Sequence, residues 1–247
     1  MRFNNKTAVV TAAGAGIGRA IALRLASEGA AVVVSDINDA AGAETVALIT
    51  AAGGTAAYQH ANVSDAAEVQ ALMAFTLDNY GRLDLAVNNA GIGAMPKPME
   101  EISEAEWDRT VNVTLRGTFL AMKSQIAHFR AAGSGSIVNI ASVAGISATP
   151  SLTPYGAAKH GVVSLTRSVA LENAAHGIRV NAVAPGAVET AALASLPADA
   201  KAGYAAEVPM KRLGQPEEIA NAVSWLLSQE AGFVTGVVLP VDGGTSA

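Results

Sequence analysis

The chain has 247 residues, a length that suits one α/β domain with a sizeable core, and 51% of its residues are apolar. Aromatic residues account for only 4%, so the hydrophobicity comes mainly from Ala, Val, Leu and Ile. The formal net charge is −5 and no basic block occurs, which excludes the positive face that nucleic acid requires. Cysteine is absent, which excludes disulfides and thiolate metal sites. No signal-peptide pattern and no membrane-spanning apolar run occurs, so we expect a cytoplasmic protein.

Short apolar segments rich in β-branched residues alternate with longer Ala-rich segments of helical period. The pattern predicts strands at 7–10, 31–35, 55–59, 83–88, 136–141, 179–184 and 234–241. It predicts helices at 17–28, 40–52, 65–80, 104–131, 155–174 and 217–228, with Ser64 and Ser103 as caps of two of them. This alternation predicts an α/β fold, a Rossmann-type doubly wound sheet of seven mainly parallel strands with helices on both faces.

The chain contains neither a linker nor an internal repeat, so we predict one domain over residues 1–247. Between Gly186 and Gly214, Ala, Leu and Pro are scattered without clean periodicity. A long irregular segment inside a compact domain is more often functional than accidental. We therefore predict a substrate lid at 187–213.

A glycine-rich turn connects the first predicted strand to the first predicted helix. Its sequence is Thr11-Ala12-Ala13-Gly14-Ala15-Gly16-Ile17-Gly18. Glycines at these positions let the backbone approach a pyrophosphate, whose charge then lies at the helix N-terminus. The turn therefore predicts a dinucleotide site.

An acidic residue, Asp36, ends the second predicted strand, about 20 positions after Gly16. A carboxylate there accepts hydrogen bonds from the adenosine ribose hydroxyls and repels the extra phosphate of NADP. The spacing favours NAD as the cofactor. The alternative is that Asp36 caps a helix or fixes a turn.

Three candidate catalytic residues lie on two neighbouring predicted elements. Tyr155 and Lys159 are four positions apart on a helix and share a face, and Ser142 follows a strand at the ligand-binding carboxyl edge. A phenol with a pKa near 10 is a weak acid, and a nearby cation lowers that pKa. These residues predict an acid–base site; the alternative is that Tyr155 and Lys159 form an ordinary exposed pair.

With these motifs the chain resembles the short-chain dehydrogenase/reductase family almost from end to end. The matching segments are Thr11 to Gly18, Asn88-Asn89-Ala90-Gly91, Asn112, Ser142, Tyr155, Lys159, Pro185-Gly186 and Val241-Asp242-Gly243-Gly244. The resemblance implies an NAD-dependent oxidoreductase that interconverts a secondary alcohol and a ketone. It also implies a homotetramer built through the helices at 104–131 and 155–174 and the C-terminal strand.

The resemblance assigns a role to each candidate catalytic residue. Ser142 would hold the substrate oxygen, and Tyr155 would protonate or deprotonate it. Lys159 would bind the nicotinamide ribose and support the Tyr155 phenolate. Asn112 would hold a water that links Lys159 to solvent; the alternative is that Asn112 distorts its helix locally.

The resemblance also implies a set of cofactor contacts. Asn89 would lie near the adenosine-side ribose, or alternatively fix a turn, and Thr190 would contact the nicotinamide carboxamide. The further contacts implied are Ile17, Asn62, Val63, Ala90, Gly91, Pro185, Gly186 and Val188. The chain departs from the family at Ala12, where a glycine is usual, and at Asn62, where Asp is usual. Ala15 replaces the basic residue of many NADP-preferring relatives, which again favours NAD.

The residues expected around the substrate are mostly small and apolar. They are Ala144, Ile146, Leu152, Ala187, Ala191, Leu193 and Leu196. They favour a hydrophobic or compact neutral secondary alcohol. His60, His128 and His176 lack ligand spacing, so we predict no metal site.

Two other functions compete with this interpretation. One is a 3-oxoacyl thioester (acyl carrier protein) reductase, against which Asp36 argues because biosynthetic reduction usually draws on NADPH. The other is a non-catalytic NAD-binding regulator on the same fold. The complete set of Asn112, Ser142, Tyr155 and Lys159 argues against a regulator, which needs no proton relay.

Overall fold

Seven parallel strands form one continuous sheet in the computed structural model, which describes residues 1–93, 95–190, 193 and 198–247. The strands are β1 (Thr7–Thr11), β2 (Ala31–Asp36), β3 (Thr55–His60), β4 (Leu85–Asn88), β5 (Gly135–Ile140), β6 (Ile178–Pro185) and β7 (Val238–Val241). Their order across the sheet is β3-β2-β1-β4-β5-β6-β7. The order reverses between β1 and β4, which creates a crevice at their carboxyl ends. The predicted Rossmann-type doubly wound fold is confirmed.

Helices cover both faces of the sheet. They are α1 (Gly16–Ser27), α2 (Asp39–Ala51), α3 (Ala66–Tyr80), α4 (Glu104–Val111), α5 (Gly117–Ala132), α6 (Thr153–Asn173), α7 (Ala198–Glu207) and α8 (Pro216–Leu227). No helix among the described residues is long and apolar enough to cross a membrane.

Successive strand residues face opposite layers of the core. In β2, Val33 packs with α3 and α5, whereas Val32 and Val34 pack with α1 and α8. A strand that is buried on both faces reads as a continuous apolar run, as these valines do. The two cores bury both faces of the sheet, and the polar residues of the crevice lie at its carboxyl edge.

Local side chains set where several helices begin. The Asn38 side chain accepts a hydrogen bond from the Ala41 amide and caps α2. Ser103 caps α4 with a reciprocal bond from Glu106, as predicted. The predicted Ser64 cap is wrong, because Asp65 caps α3.

The structure corrects three predicted elements. The helix predicted over 104–131 is interrupted by a π-helical segment, Asn112–Arg116, between α4 and α5. The strand predicted over 234–241 begins only at Val238 because Gly236, with φ of +77°, turns the chain first. The segment predicted as irregular contains α7, whose Ala-rich sequence favours helix without an amphipathic period. Of the predicted lid, 191, 192 and 194–197, including Ala191 and Leu196, lie outside the described residues.

Candidate active site

The glycine-rich turn leaves the N-terminus of α1 open to an anion. Helix α1 begins at Gly16, and no described side chain caps its first amides; its first turn carries no acidic residue. In contrast, α2, α3 and α4 are each capped by a side chain. Free amides and the helix dipole together form a site for a phosphate group.

The glycines in this turn are required by close approach of the backbone. A Cβ on Gly18 would lie 2.1 Å from the Ala12 carbonyl oxygen and 2.6 Å from the side-chain nitrogen Nδ2 of Asn89. Gly16 has φ of +52°, a conformation that glycine adopts without strain. The residues present therefore fit a dinucleotide pyrophosphate laid across the turn.

Ala12, where the family usually has glycine, lies in the left-handed region. Its φ is +49°, whereas Gly14 does not have a positive φ and so does not take over this conformation. A left-handed alanine costs about 1–2 kcal/mol relative to the right-handed region. The departure from the family is thus accommodated as backbone strain in the turn.

Asp36 ends β2 beside the glycine-rich turn. Its Oδ2 accepts a hydrogen bond from the Gly14 amide at 2.9 Å, and its Oδ1 accepts one from the Asn38 amide at 2.9 Å. The carboxylate thus fixes a turn, as the alternative interpretation proposed. Each oxygen keeps a further lone pair, so the same carboxylate can also accept from ribose hydroxyls.

Asn89 holds the glycine-rich turn from the neighbouring strand. Its side-chain amide donates to the Thr11 and Ala12 carbonyl oxygens, each at 3.0 Å. The Thr11 hydroxyl in turn accepts from the backbone amides of Asn89 and Ala90, at 3.0 and 3.1 Å. In this structure Asn89 is therefore a turn-fixing residue beneath the dinucleotide site.

Lys159 is buried at the carboxyl edge of the sheet. Its side chain is 4% exposed, and its Nζ donates a hydrogen bond of 2.6 Å to the Ile140 carbonyl at the end of β5. The Nζ lies 5.7 Å from the centroid of the Tyr155 ring. Burial lowers the pKa of Lys159 to about 8. The expected shared face of Tyr155 and Lys159 on α6 brings a cation next to the phenol.

Ser142 and Tyr155 meet across the same edge. Ser142 follows β5, and its hydroxyl accepts a hydrogen bond of 3.1 Å from the Ala144 amide. Burial raises the pKa of Tyr155 above its ordinary value of 10, and the Ser142 hydrogen bond offsets part of that rise. In the free chain desolvation dominates the pKa of Tyr155, and a lowering of that pKa by Lys159 stays a prediction.

Asn112 begins the π-helical segment that interrupts the predicted long helix. The Gly117 amide donates to the Asn112 carbonyl, an i+5 bond that widens the helix here. Two residues on, the Thr114 hydroxyl accepts from the Ile92 amide at 3.2 Å. A Cβ on Gly91 would lie 3.3 Å from the Lys159 Nζ, so the loop after β4 reaches the lysine. The helix is thus distorted locally from Asn112 onward, beside Lys159, which fits the alternative interpretation of Asn112.

The remaining predicted contacts lie around the same crevice. The Asn62 side-chain oxygen accepts from the Ser64 amide and hydroxyl, at 3.1 and 2.8 Å. The side chain of Val63 packs on Gly117, where an added Cβ would lie 2.7 Å from it. On the opposite side, Thr190 lies 3.4 Å from the position of a Cβ on Gly16. The other contacts at this edge are Ile17, Pro185, Gly186 and Val188.

Sequence reasoning missed two functional features of this site. The Ile140 carbonyl, which orients Lys159, gives no sequence signal because any residue supplies a carbonyl. Thr114 ties the π-helical segment to the loop after β4, and a buried threonine two positions after Asn112 was its only signal. Among the described residues, no group of three His, Asp or Glu side chains could hold a metal ion.

Comparisons with known proteins identify the family of this chain. A family model described as enoyl-(acyl carrier protein) reductase matches residues 11–246. A cis-4-hydroxycyclohexanecarboxylate dehydrogenase from Sinomonas cyclohexanicum is 46% identical, over 99% of this chain and 98% of the relative. A cyclohexanol dehydrogenase from Acinetobacter sp. (strain SE19) is 45% identical, over 98% of this chain and 95% of the relative. The crystal structure of levodione reductase superposes with a TM-score of 0.96 at 40% identity, covering 99% of each chain.

The fold, with its crevice at the carboxyl edge of the sheet, and the matching family model define a nicotinamide-dependent oxidoreductase. The chain belongs to the short-chain dehydrogenase/reductase family, and within it to the alcohol dehydrogenases and carbonyl reductases.

Proposed function

We propose that this enzyme uses NAD to interconvert a secondary alcohol on a six-membered carbocycle and the corresponding ketone. The observation that carries the proposal is the arrangement of Tyr155 at the crevice beside the buried Ser142 and Lys159. Two relatives at 45–46% identity are named for hydroxylated cyclohexane rings, which supports the ring class. Asp36 beside the adenosine end supports NAD over NADP.

The proton chemistry falls to the side chains of this chain. When bound, the nicotinamide supplies the hydride acceptor or donor. In oxidation, Tyr155 Oη takes the hydroxyl proton of the substrate while Ser142 Oγ holds the substrate oxygen by a hydrogen bond. In reduction, Tyr155 Oη returns the proton to the forming alkoxide. Lys159 supports the phenolate through its charge, 5.7 Å from the ring centroid.

The polar residues around this centre complete the proposal. Gly14, Gly16, Gly18 and the free amides of α1 would hold the pyrophosphate, and Lys159 would also bind the nicotinamide ribose. Asn112 would hold the water that returns protons to Lys159, beside the π-helical distortion. The rest of the dinucleotide cleft would be formed by Asn62, Val63, Asn89, Ala90, Gly91, Pro185, Gly186, Val188 and Thr190.

We further propose that residues 1–247 form one catalytic domain with a substrate lid at 187–213. We also propose that the protein is cytoplasmic and assembles as a homotetramer. Exposed apolar side chains on the predicted interface helices support the tetramer, above all Leu171 on α6, which is 82% exposed. Sedimentation equilibrium tests it: we expect a tetramer for the wild type and smaller species for Leu171→Asp. A wild-type monomer would rule the tetramer out.

Turnover on a matched substrate panel tests the function. Cyclohexanol, cyclopentanol, a linear secondary alcohol and the corresponding ketones are offered with NAD(H) or NADP(H), and the nicotinamide absorbance is followed. We expect cyclohexanol with NAD to give the highest kcat/KM. Preference for NADP(H) would refute the cofactor assignment, and equal turnover of the linear alcohol would refute the ring class.

The matching family model is described as enoyl-(acyl carrier protein) reductase. Because of that description, an acyl thioester is the second candidate substrate. A 3-oxoacyl thioester with NADPH is therefore added to the panel. Turnover of that thioester above all alcohols and ketones would favour the second candidate.

A further inference from the structure

A hydrogen-bonded chain of side chains lies next to Asp36, outside the catalytic centre. Tyr58 on β3 points toward α2, and a Cβ on Gly42 would lie 2.0 Å from its ring. The Tyr58 hydroxyl lies 2.8 Å from the Asp36 backbone oxygen and 2.7 Å from Asp39 Oδ1. With one proton to donate, the hydroxyl bridges the end of β2 and the first residue of α2.

His60 extends this chain to the neighbouring helix. Its Nδ1 lies 2.8 Å from Asp39 Oδ1, and its Nε2 lies 3.7 Å from Glu68 Oε2 on α3. The same Glu68 oxygen accepts a hydrogen bond of 2.7 Å from the backbone amide of Asn62. The register of the sheet places Asp36 directly opposite His60. The chain therefore connects Asp36, expected at the adenosine ribose, to Asn62, another of the expected cofactor contacts.

We propose that Tyr58, Asp39, His60 and Glu68 form a positioning network for the adenosine half of the dinucleotide site, and that protonated His60 completes it. We call these four residues the adenosine-side network. The proposal rests on the proposed use of NAD. The four residues act through Asp36 and Asn62 rather than by contact with the reacting atoms.

Charge explains why the protonation state of His60 matters. Three carboxylates face the imidazole, from Asp36 on β2, Asp39 on α2 and Glu68 on α3, and Tyr58 neighbours it on β3. The hydrogen bond to Asp39 raises the pKa of His60 above its ordinary value of 6.5. Below that raised pKa both ring nitrogens carry protons, so His60 can donate a hydrogen bond to Asp39 and attract Glu68, 3.7 Å away, by its charge.

Deprotonation weakens the network in two ways that act in the same direction. A neutral imidazole keeps one N–H and can still donate to Asp39, but it loses its charge attraction for Glu68. The local charge also becomes more negative by one unit, which disfavours an anionic dinucleotide. Affinity for the adenosine half should therefore fall as the pH rises through the raised pKa of His60.

ADP-ribose is the probe that isolates this half, since it carries adenosine and pyrophosphate but no nicotinamide. Isothermal titration of the full-length protein measures its Kd on both sides of the His60 titration. We expect the wild-type Kd to rise about two- to fivefold with pH, the range of an exposed ion pair converted to affinity. His60→Gln should lose that pH dependence, and Asp39→Asn should shift its midpoint to lower pH.

Two further variants separate positioning from a general structural effect. Tyr58→Phe should weaken ADP-ribose binding at every pH while keeping the pH dependence, because His60 and Asp39 remain. His176→Gln, an exposed histidine on the Ala174–His176 turn, should leave the Kd and its pH dependence unchanged. The kcat of His60→Gln at saturating NAD should equal that of the wild type, with KM for NAD raised.

The outcomes distinguish this inference from the proposed function. If the wild type binds ADP-ribose with the same pH dependence as His60→Gln, the adenosine-side network is overturned and the use of NAD stands. If the wild type binds neither ADP-ribose nor NADH at any pH, the use of NAD is overturned, and the network with it. A parallel loss of kcat in Tyr58→Phe and His60→Gln would also overturn the positioning role.

Discussion

The two ends of the crevice control charge by opposite means. At the catalytic end Lys159 is buried, and desolvation lowers its pKa to about 8. At the adenosine end His60 is 48% exposed, and a hydrogen bond to Asp39 raises its pKa. Burial leaves a poorly solvated amine beside a phenol, a setting for proton transfer. At the exposed adenosine end, solvent and salt screen the charges, and His60 can gain or lose its proton. That setting suits recognition.

Removing the phenol should produce the largest effect, and only at the catalytic end. For Tyr155→Phe we expect kcat to fall by about a thousandfold, since a positioned general acid–base contributes 10²–10⁴-fold. Steady-state kinetics measure the loss, and NADH fluorescence should show unchanged cofactor binding. Tyr80→Phe, at the end of α3, is the matched control and should retain wild-type kcat.

Changing one charge should act only at the adenosine end. Asp36→Asn removes the repulsion of the NADP phosphate but keeps an oxygen for the Gly14 amide. We expect the NADP-to-NAD ratio of kcat/KM to rise about 10- to 100-fold, the range for one charge acting on a phosphate at short distance. Asp78→Asn, on the exposed side of α3, should leave the ratio as it is. An unchanged ratio in Asp36→Asn would remove the basis of the NAD assignment.

The burial of Lys159 should appear in the stability of the free protein. Between the folded pKa of about 8 and the ordinary value of 10.5, the unfolded state binds more protons, so stability rises with pH. From about pH 7 to 10 we expect the free energy of unfolding of the wild type to gain ~2 kcal/mol relative to Lys159→Met. Urea denaturation measures this difference. The exposed Lys123→Met should follow the wild type, and equal slopes in all three proteins would contradict the burial.

The smallest predicted effect concerns the turn that joins the two ends. Ala12→Gly relieves a left-handed alanine and should stabilise the protein by about 0.5–1 kcal/mol, the strain less the entropy of an added glycine. The thermal midpoint should rise by about 2 °C. Ala15→Gly, in the same turn but with φ of −156°, should not stabilise. A lower midpoint for Ala12→Gly would show that the turn is unstrained.

Local patterns predicted where the residues of the catalytic end lie, whereas their catalytic roles come from the family resemblance and stay a prediction. Ser142 follows a predicted strand, and Tyr155 and Lys159 share a helix face, so local patterns suffice to bring them to one edge. The π-helical segment was foreseen only as the alternative interpretation of Asn112, because no local pattern distinguishes an i+5 bond from ordinary helical bonding. Helix α7 escaped because its alanines form no amphipathic stripe.

At the adenosine end, sequence reasoning named Asp36 and Asn89 as site residues but none of the four residues of the adenosine-side network. Tyr58, Asp39, His60 and Glu68 lie on three different elements, and their meeting depends on the register of β2 with β3 and on the position where α2 begins. Neither quantity is fixed by a local pattern. The spacing of the histidines excludes His60 as a metal ligand, and the sequence gives no other partner for it. In the structure its partner is the carboxylate of Asp39.

Transfer of a labelled hydride tests the central claim most directly. NADH carrying deuterium at both positions of nicotinamide C4 is incubated with cyclohexanone, and the alcohol formed is analysed by mass spectrometry and NMR. We predict one deuterium on the carbinol carbon with the wild type and almost no product with Tyr155→Phe. Unlabelled alcohol, or labelled alcohol formed equally fast by Tyr155→Phe, would contradict hydride transfer with Tyr155 as the acid.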